Sequence, residues 1–175
     1  MASSDLRRRL LVARHRQATI VFEGSVHIGP GFAVSMPGPC TLVIGDGVEF
    51  RRDCFLELEW HSTVRIGAGT TFTRDVMIQC TKEITIGRGC LFANGAHVVD
   101  SRHEFRDPTR PLIEQGLSFA PLTIGDDVWV AAKAVINADV GDRAVIGAGS
   151  VVNRPVAPWT FAGGVPAKPI ETFGP

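Results

Sequence analysis

A six-residue repeat constrains the fold of this sequence more than any other feature. An Ile-Gly or Val-Gly pair, followed six residues after the aliphatic residue by another apolar residue, occurs six times. The copies begin at Ile28, Ile44, Ile66, Ile86, Ile124 and Val140. Such hexads are typical of a parallel β-helix, in which each unit is a short strand followed by a corner. The aliphatic residue and the residue two before it are expected to face inward, and three hexads make one triangular coil of about 18 residues.

The spacing of the copies indicates one insertion. Successive copies are separated by 16, 22, 20, 38 and 16 residues, so four of the five separations are close to one coil. The fourth separation, from Ile86 to Ile124, exceeds one coil by about 20 residues. The extra residues are roughly 100–121, which begin inside the stretch VVDSRHEFRDPTRPLIEQG (98–116) and continue to Pro121. Because long ordered loops in compact domains usually carry function, we predict that this insertion holds the active site.

The N-terminal segment differs from the repeats. Residues 1–18 read as a short helical cap, with Ser4 as a possible N-cap and Asp5 in the first turn. Its aliphatic side chains recur at helical spacing: Leu6, Leu10 and Ala13. We predict that this helix lies on the first coil through these residues, with its arginines in water.

The β-helix is predicted to span residues 19–157, with the loop insertion at 100–121. Between Val152 and Ile170 the chain contains four prolines, which preclude a continuous helix. Residues 158–175 are therefore expected to form an extended tail over the last coil.

Composition and charge exclude several classes of partner. The 18 basic residues balance 18 acidic ones, which gives no support for nucleic acid or an anionic membrane as the main partner. No segment approaches the roughly 20 apolar residues that span a bilayer, and the apolar run at 10–13 is too short for a signal peptide. The four cysteines lack CxxC spacing. We predict a cytoplasmic protein with reduced cysteines, no nucleic-acid partner and no membrane insertion.

The C-terminal half carries a more specific signal. Residues 124–170, IGDDVWVAAKAVINADVGDRAVIGAGSVVNRPVAPWTFAGGVPAKPI, closely resemble the hexapeptide-repeat acetyltransferases. That family includes the galactoside, maltose, polysaccharide and xenobiotic O-acetyltransferases. The resemblance implies an all-β fold, the left-handed parallel β-helix, with acetyl-CoA as donor. It also implies a homotrimer whose active sites lie between subunits. Neither the handedness nor the trimer follows from the periodicity.

The resemblance also implies a catalytic residue. Family members carry a histidine in the insertion, in a D-x-x-H context that here is Asp100-Ser-Arg-His103. Imidazole suits a general base because its unperturbed pKa of about 6.5 is near the working pH. His97 is the alternative base, since it precedes the inward Val98 and should face outward. Polar residues in this region contact the acceptor in related enzymes, so Asn94, His97 and Asp100 are the predicted acceptor contacts. A backbone carbonyl could orient His103, as could any of four carboxylates: Asp100, Glu104, Asp107 and Glu114.

The last coils are expected to bind the donor. In the enzymes that this chain resembles, the pantetheine arm of CoA runs along small residues at the corners. The matching positions are Ala132 and Ala148, followed by Asn153 and Arg154. Arg154 and Lys168 are candidates for binding the CoA phosphates. Because thiolate is a good leaving group, acetyl transfer requires no metal.

We therefore predict transfer of an acetyl group from acetyl-CoA to a hydroxyl, or with less support an amine, of a sugar-like or antibiotic-like molecule. One alternative is a zinc enzyme of the gamma-class carbonic anhydrase type, with ligands from His61, His97 and His103. His61 and His97 are two nominal coils apart, about 9.6 Å, which is too far for one zinc ion unless a neighbouring subunit contributes. The other alternative is a non-catalytic assembly module, which would not require the insertion.

Overall fold

The computed structural model describes residues 3–175, so residues 1 and 2 of the predicted helical cap lie outside the described residues. The hexads wind into a left-handed parallel β-helix with three sheets as its faces. These sheets are called A, B and C, and the chain passes through them in that order in each coil, as the repeat predicts. The predicted fold class is confirmed.

The strands are numbered in chain order and described by sheet. Sheet A contains β1 (Thr19–Phe22), β4 (Thr41–Ile44), β7 (Thr63–Ile66), β10 (Glu83–Ile86) and β15 (Leu122–Ile124). Sheet B contains β2 (His27–Ile28), β5 (Glu49–Arg52), β8 (Thr71–Arg74), β11 (Leu91–Phe92), β16 (Trp129–Val130), β18 (Val145–Ile146), β20 (Thr160–Gly163) and β21 (Lys168–Thr172). Sheet C contains β3 (Ala33–Ser35), β6 (Phe55–Leu58), β9 (Met77–Cys80), β12 (His97–Val99), β17 (Val135–Ile136) and β19 (Val151–Val152). The remaining elements are helix α1 (Ser4–Arg14), the antiparallel strands β13 (Ser101–His103) and β14 (Leu117–Phe119), and a 3-10 turn at Leu112–Glu114.

The strand register confirms the position of the insertion. Ile66 pairs with Ile86 and Ile86 pairs with Ile124, although the second pair is separated by the long interval in the sequence. The interval of 16 residues between Ile28 and Ile44 is not one coil, contrary to the prediction. Ile28 pairs with Phe50 in sheet B, so both belong to a different face from Ile44.

Stacked side chains fill the interior of the solenoid. The rings of Phe50, Phe72 and Phe92 stack on successive coils, with 4.8 Å between neighbouring centroids. Val130 continues this column in the next coil, because it pairs with Phe92. All four side chains are fully buried. The core is thus a continuous apolar column, and each coil is stabilised by the coils above and below it.

Helix α1 lies against the first strand of sheet B, but with the opposite face from the one we predicted. Its N-cap is Ser3, whose side chain accepts a hydrogen bond from the Leu6 N–H, rather than Ser4. Leu6 and Leu10 are exposed, whereas Leu11 is buried and Arg7 is half-buried.

The reason for this orientation is the unpaired edge of strand β2. The Ser4 hydroxyl donates to the Val26 carbonyl at 3.1 Å and accepts from the Ile28 N–H at 2.8 Å. The Arg7 guanidinium donates to the Ile28 carbonyl at 2.7 Å. Backbone groups at a strand edge need partners, so polar side chains of the helix are directed inward to provide them.

The C-terminal segment contains strand structure beyond the predicted end of the β-helix at residue 157. Strand β20 pairs in parallel with β18, so the coils continue to Gly163. The chain then reverses, and β21 pairs antiparallel with β20 along the edge of sheet B. Among residues 3–175, no helix has the length and apolar character that crossing a membrane requires.

Candidate active site

The insertion forms an antiparallel hairpin that leaves the β-helix at the corner between sheets C and A. Strand β13 follows β12 after a single residue, and β14 returns the chain to β15. Arg102 pairs with Ser118, and His103 pairs with Leu117. The Glu104 N–H donates to the Gly116 carbonyl at 3.0 Å, which extends the pairing by one bond. The predicted catalytic histidine therefore lies at the distal end of a short two-stranded stem.

The Gln115 side chain bridges the two sides of the hairpin tip. The Gln115 Oε1 accepts from the Asp107 N–H at 3.0 Å, and its Nε2 donates to the carbonyls of Asp107 and Arg110 at 2.9 Å each. The Arg102 guanidinium donates to the Ser118 hydroxyl at 3.0 Å across the stem. The insertion is thus a structured loop, as expected for a functional element.

Asp100 anchors the start of the hairpin to the preceding coil. Its buried carboxylate accepts three backbone N–H bonds, from Thr81 at 2.7 Å, Lys82 at 2.7 Å and Glu83 at 3.0 Å. Burial and this carboxylate together raise the pKa of the Cys80 thiol to about 12. A contact between Asp100 and an acceptor remains a prediction, and it would compete with these bonds.

His103 lines a groove of about 250 Å³ between the hairpin and the outward face of sheet C. Glu57, Gln79 and Val99 lie side by side on three successive strands and form its floor. The Gln79 amide donates to the Glu57 carboxylate at 2.7 Å. The His103 side chain is exposed and can therefore reach a molecule bound in this groove.

The carboxylates in the groove are not those that the sequence indicated. Asp100, Glu104, Asp107 and Glu114 do not line it, whereas Glu57 and Glu59 do. The position of these residues within the repeat could have indicated the groove. Glu57, Gln79 and Val99 each come directly before an inward residue, so all three side chains face outward on sheet C. Glu57 and Gln79 are polar residues at this outward position in strands that are otherwise largely apolar, which is the pattern expected of a binding surface.

His97 lies on the outward face of sheet C, as predicted. It pairs with Met77 on one side and Val135 on the other, in a mostly apolar row. Its Nε2 atom is buried and has no hydrogen-bond partner among residues 3–175. Burial lowers the pKa of His97 below its ordinary value. Burial thus favours the neutral imidazole. His97 does not line the groove that contains His103.

This environment predicts a pH-dependent stability. The unfolded chain binds a proton at His97 more readily than the folded chain, so the free energy of unfolding should decrease as the pH falls below about 6.5. We expect the His97→Gln variant to lose less stability than the parent between about pH 7.5 and pH 5.5. Denaturant unfolding at each pH measures this difference, with the exposed His27→Gln as the matched control. Parallel pH profiles for the parent and His97→Gln would contradict the prediction.

The structure divides the predicted acceptor and donor residues between two corners. Asn94, Ala132 and Ala148 follow one another along the corner between sheets B and C, where the Gly149 N–H donates to the Ala132 carbonyl at 2.8 Å. The Asn94 side chain is exposed and accepts a hydrogen bond from the Thr73 hydroxyl at 2.7 Å. Lys168, also exposed, begins β21 just after this corner.

The other two predicted donor contacts lie at the corner between sheets C and A. Asn153 and Arg154 follow β19 directly, and both side chains are exposed. The hairpin that carries His103 leaves the solenoid from this same corner, two coils earlier. Asn153 and Arg154 are thus on the side of His103, whereas Ala132 and Ala148 are separated from it by the width of sheet C.

Among residues 3–175, no three His, Cys, Asp or Glu side chains are grouped closely enough to hold a metal ion. The histidines of the zinc alternative are distributed over different parts of the coil. His61 lies in the turn between β6 and β7, His97 lies on a face of sheet C, and His103 lies on the hairpin.

Comparison with known proteins identifies similar sequences and structures. The sequence family described as bacterial transferase hexapeptide (six repeats) matches residues 121–154. A probable acetyltransferase of Mycobacterium tuberculosis is 28% identical over 166 residues, which cover 93% of this chain and 55% of that protein. The galactoside O-acetyltransferase of Escherichia coli is 35% identical over 112 residues, which cover 63% of this chain and 54% of the enzyme. The chain thus spans about half the length of these two relatives.

Solved structures extend the likeness to nearly the whole chain. A hexapeptide-repeat acetyltransferase of Vibrio cholerae superimposes with a TM-score of 0.65 and 26% identity, covering 98% of this chain and 82% of that protein. The same protein has been solved in complex with acetyl coenzyme A. The likeness includes the coils on both sides of the hairpin.

Proposed function

Since this chain belongs to the hexapeptide-repeat acetyltransferase family, we propose that it transfers an acetyl group from acetyl-CoA to a hydroxyl group of a small, sugar-like or antibiotic-like molecule. One observation carries this proposal: the only long insertion in the described solenoid presents an exposed histidine beside a groove. The family and the complex of the Vibrio relative with acetyl coenzyme A support the choice of donor.

His103 is proposed as the general base. Its imidazole would accept the proton of the acceptor hydroxyl while the oxygen attacks the thioester carbonyl carbon. The carbonyl oxygen gains negative charge, the C–S bond then breaks, and CoA leaves as a thiolate that receives a proton. Backbone N–H groups are suited to stabilise the oxyanion. The groove supports this role because the exposed His103 lines it and two of its three floor residues, Glu57 and Gln79, are polar.

The acceptor is proposed to bind between the hairpin and sheet C. Glu57, Gln79 and Ser101 line this groove together with His103, and they offer hydrogen-bond acceptors and donors for a polyhydroxylated molecule. Asn94 and His97 do not line this groove, so they would contact only an acceptor that extends from it along the outward face of sheet C toward the corner with sheet B. O-acetylation is favoured over N-acetylation by the likeness to the galactoside O-acetyltransferase.

We also propose a homotrimer with active sites between subunits. Large apolar side chains are exposed on the hairpin and on sheet B, as expected for surfaces that a neighbouring subunit covers. They include Phe105, Ile113 and Trp129. A neighbour seated on the hairpin would close the groove and could bring Ala132, Ala148 and Lys168 toward His103 for binding of CoA. The buried free cysteines and the use of acetyl-CoA are consistent with a cytoplasmic enzyme.

A thiol-release assay tests the proposed function. Purified protein is incubated with acetyl-CoA and panels of free sugars, nucleotide sugars, aminoglycosides and other antibiotics, and the free thiol of CoA is measured. We expect release with one class of acceptor, above the rate with acetyl-CoA alone. Hydroxylamine then separates an ester product, which it cleaves, from an amide product. No release with any panel, together with no binding of acetyl-CoA, would favour the assembly module instead.

A further inference from the structure

Asn137 connects the coil that follows the insertion to the base of the hairpin. Its side-chain Nδ2 donates to the Val99 carbonyl at 2.6 Å and lies 3.4 Å from the Ser101 carbonyl. Both partners are acceptors, so the nitrogen of the amide must face the hairpin. Val99 is the last residue of β12 and Ser101 is the first residue of β13. The amide therefore holds the junction between the β-helix and its insertion.

Asp100 lies between Val99 and Ser101 and is bonded to the coil on the other side of the junction. Its carboxylate accepts the backbone N–H groups of Thr81, Lys82 and Glu83, which belong to the preceding coil. Asn137 belongs to the following coil. Three consecutive residues at the junction are thus fixed by side-chain to backbone bonds from both neighbouring coils.

The hydrogen bond of Asn137 is not a general feature of this corner. Ile136 pairs with Val152, so Asn137 and Asn153 occupy the same position in successive coils. Asn153 is exposed, whereas Asn137 is half-buried and bonded to the hairpin. An asparagine at this position is therefore not required to form the corner. The hydrogen bond of Asn137 is specific to the coil beside the insertion.

The stem of the hairpin needs such support. A two-stranded hairpin is marginally stable in water, and β13 and β14 pair only with each other. The direction of the stem is consequently determined at its base, and His103 lies two residues beyond Ser101. A displacement of about 1 Å at a reacting group can reduce a rate by about 100-fold.

We propose that Asn137 is a positioning residue, which acts through the carbonyls of Val99 and Ser101 to hold His103 over the groove. The inference rests on the proposed role of His103 as general base. Asn137→Asp tests it best, because the carboxylate has nearly the same shape but replaces the donor by an acceptor that faces two carbonyl oxygens. Asn137→Gln keeps an amide donor and should retain more activity than Asn137→Asp.

Two measurements are combined. Hydrogen exchange of the backbone amides in 101–119 should become faster in Asn137→Asp, while exchange in the strands of sheet A stays slow. The kcat of acyl transfer should decrease by about 10- to 100-fold, with the KM for acetyl-CoA unchanged within about twofold. Thr70→Val is the matched control, since the Thr70 hydroxyl donates to the Gly87 carbonyl at 2.9 Å at a different corner. It should lower the stability without affecting the hairpin or kcat.

The outcomes separate this inference from the proposed function. Unchanged exchange in 101–119, or unchanged kcat with faster exchange, overturns the positioning role even in an active enzyme. A parent protein without acyl transfer overturns the role for His103 on which the inference depends, whatever the exchange shows. If Asn137→Asp fails to fold, Asn137→Gln and Asn137→Ala are compared instead. Equal kcat in those two variants would also overturn the inference, because only the glutamine keeps a donor.

Discussion

His103→Ala is expected to lower the kcat of acyl transfer by about 100- to 10,000-fold, the range that general bases contribute. Without the imidazole, the groove lacks the group that is proposed to accept the proton of the acceptor hydroxyl as the oxygen attacks the thioester. The affinity for acetyl-CoA, measured by calorimetry, should remain unchanged, since the proposed donor contacts lie on other coils. Initial rates at saturating acetyl-CoA provide the measurement.

His27→Ala is the matched control for this variant. His27 is also exposed, but it lies on strand β2 in sheet B, at the opposite end of the solenoid from the last coils. It should retain the parent kcat and the parent unfolding midpoint. Full activity of His103→Ala would refute His103 as the base and return attention to other groups, His97 first.

Phe72→Ala is expected to have the largest effect on stability, a decrease of about 3–5 kcal/mol in the free energy of unfolding. The Phe72 ring is fully buried between Phe50 and Phe92, and its centroid is 4.8 Å from each of theirs. Truncation removes the apolar contacts of both neighbours and leaves a cavity in the middle of the column. Denaturant unfolding at one fixed protein concentration measures the loss.

Two variants show whether this loss depends on the column. Phe72→Leu fills part of the cavity and should cost clearly less than Phe72→Ala. Val12→Ala shortens an exposed side chain on helix α1 and should change the free energy of unfolding by no more than about 0.5 kcal/mol. A loss below about 1 kcal/mol for Phe72→Ala would mean that the stacked rings do not determine the stability of the coils.

The coils and the insertion could be predicted from the sequence because both depend on side-chain periodicity. Inward residues such as Ile86 and Ile124 must align from coil to coil, so any surplus residues between them have to leave the solenoid. The two-residue period of the strands also placed His97 on the outward face. These features follow from burial alone, which the order of apolar residues specifies.

The features that could not be predicted depend on backbone groups. The predicted orientation of helix α1 was wrong because Ser4 and Arg7 form hydrogen bonds with the unpaired N–H and C=O groups of β2. The sequence does not show which strand edge lacks a partner. Asn137 and Asn153 have similar local sequences, VIN and VVN, yet only Asn137 lies beside the departing hairpin. The phase of the repeat could have placed Glu57 and Gln79 on the outward face of sheet C, but their proximity to His103 depends on the path of the hairpin, which the sequence does not show.

Both edges of sheet B are closed to further parallel pairing. A parallel coil is an open-ended template, and a second copy of the chain could add its strands to an exposed edge and continue the structure as a fibre. At one end, Ser4 and Arg7 already occupy hydrogen-bonding groups that an incoming strand would use. At the other end, the direction of β21 is reversed, so the edge that it presents does not continue the parallel pairing. Two short terminal segments thereby prevent a second copy of the chain from extending sheet B by parallel pairing at either edge.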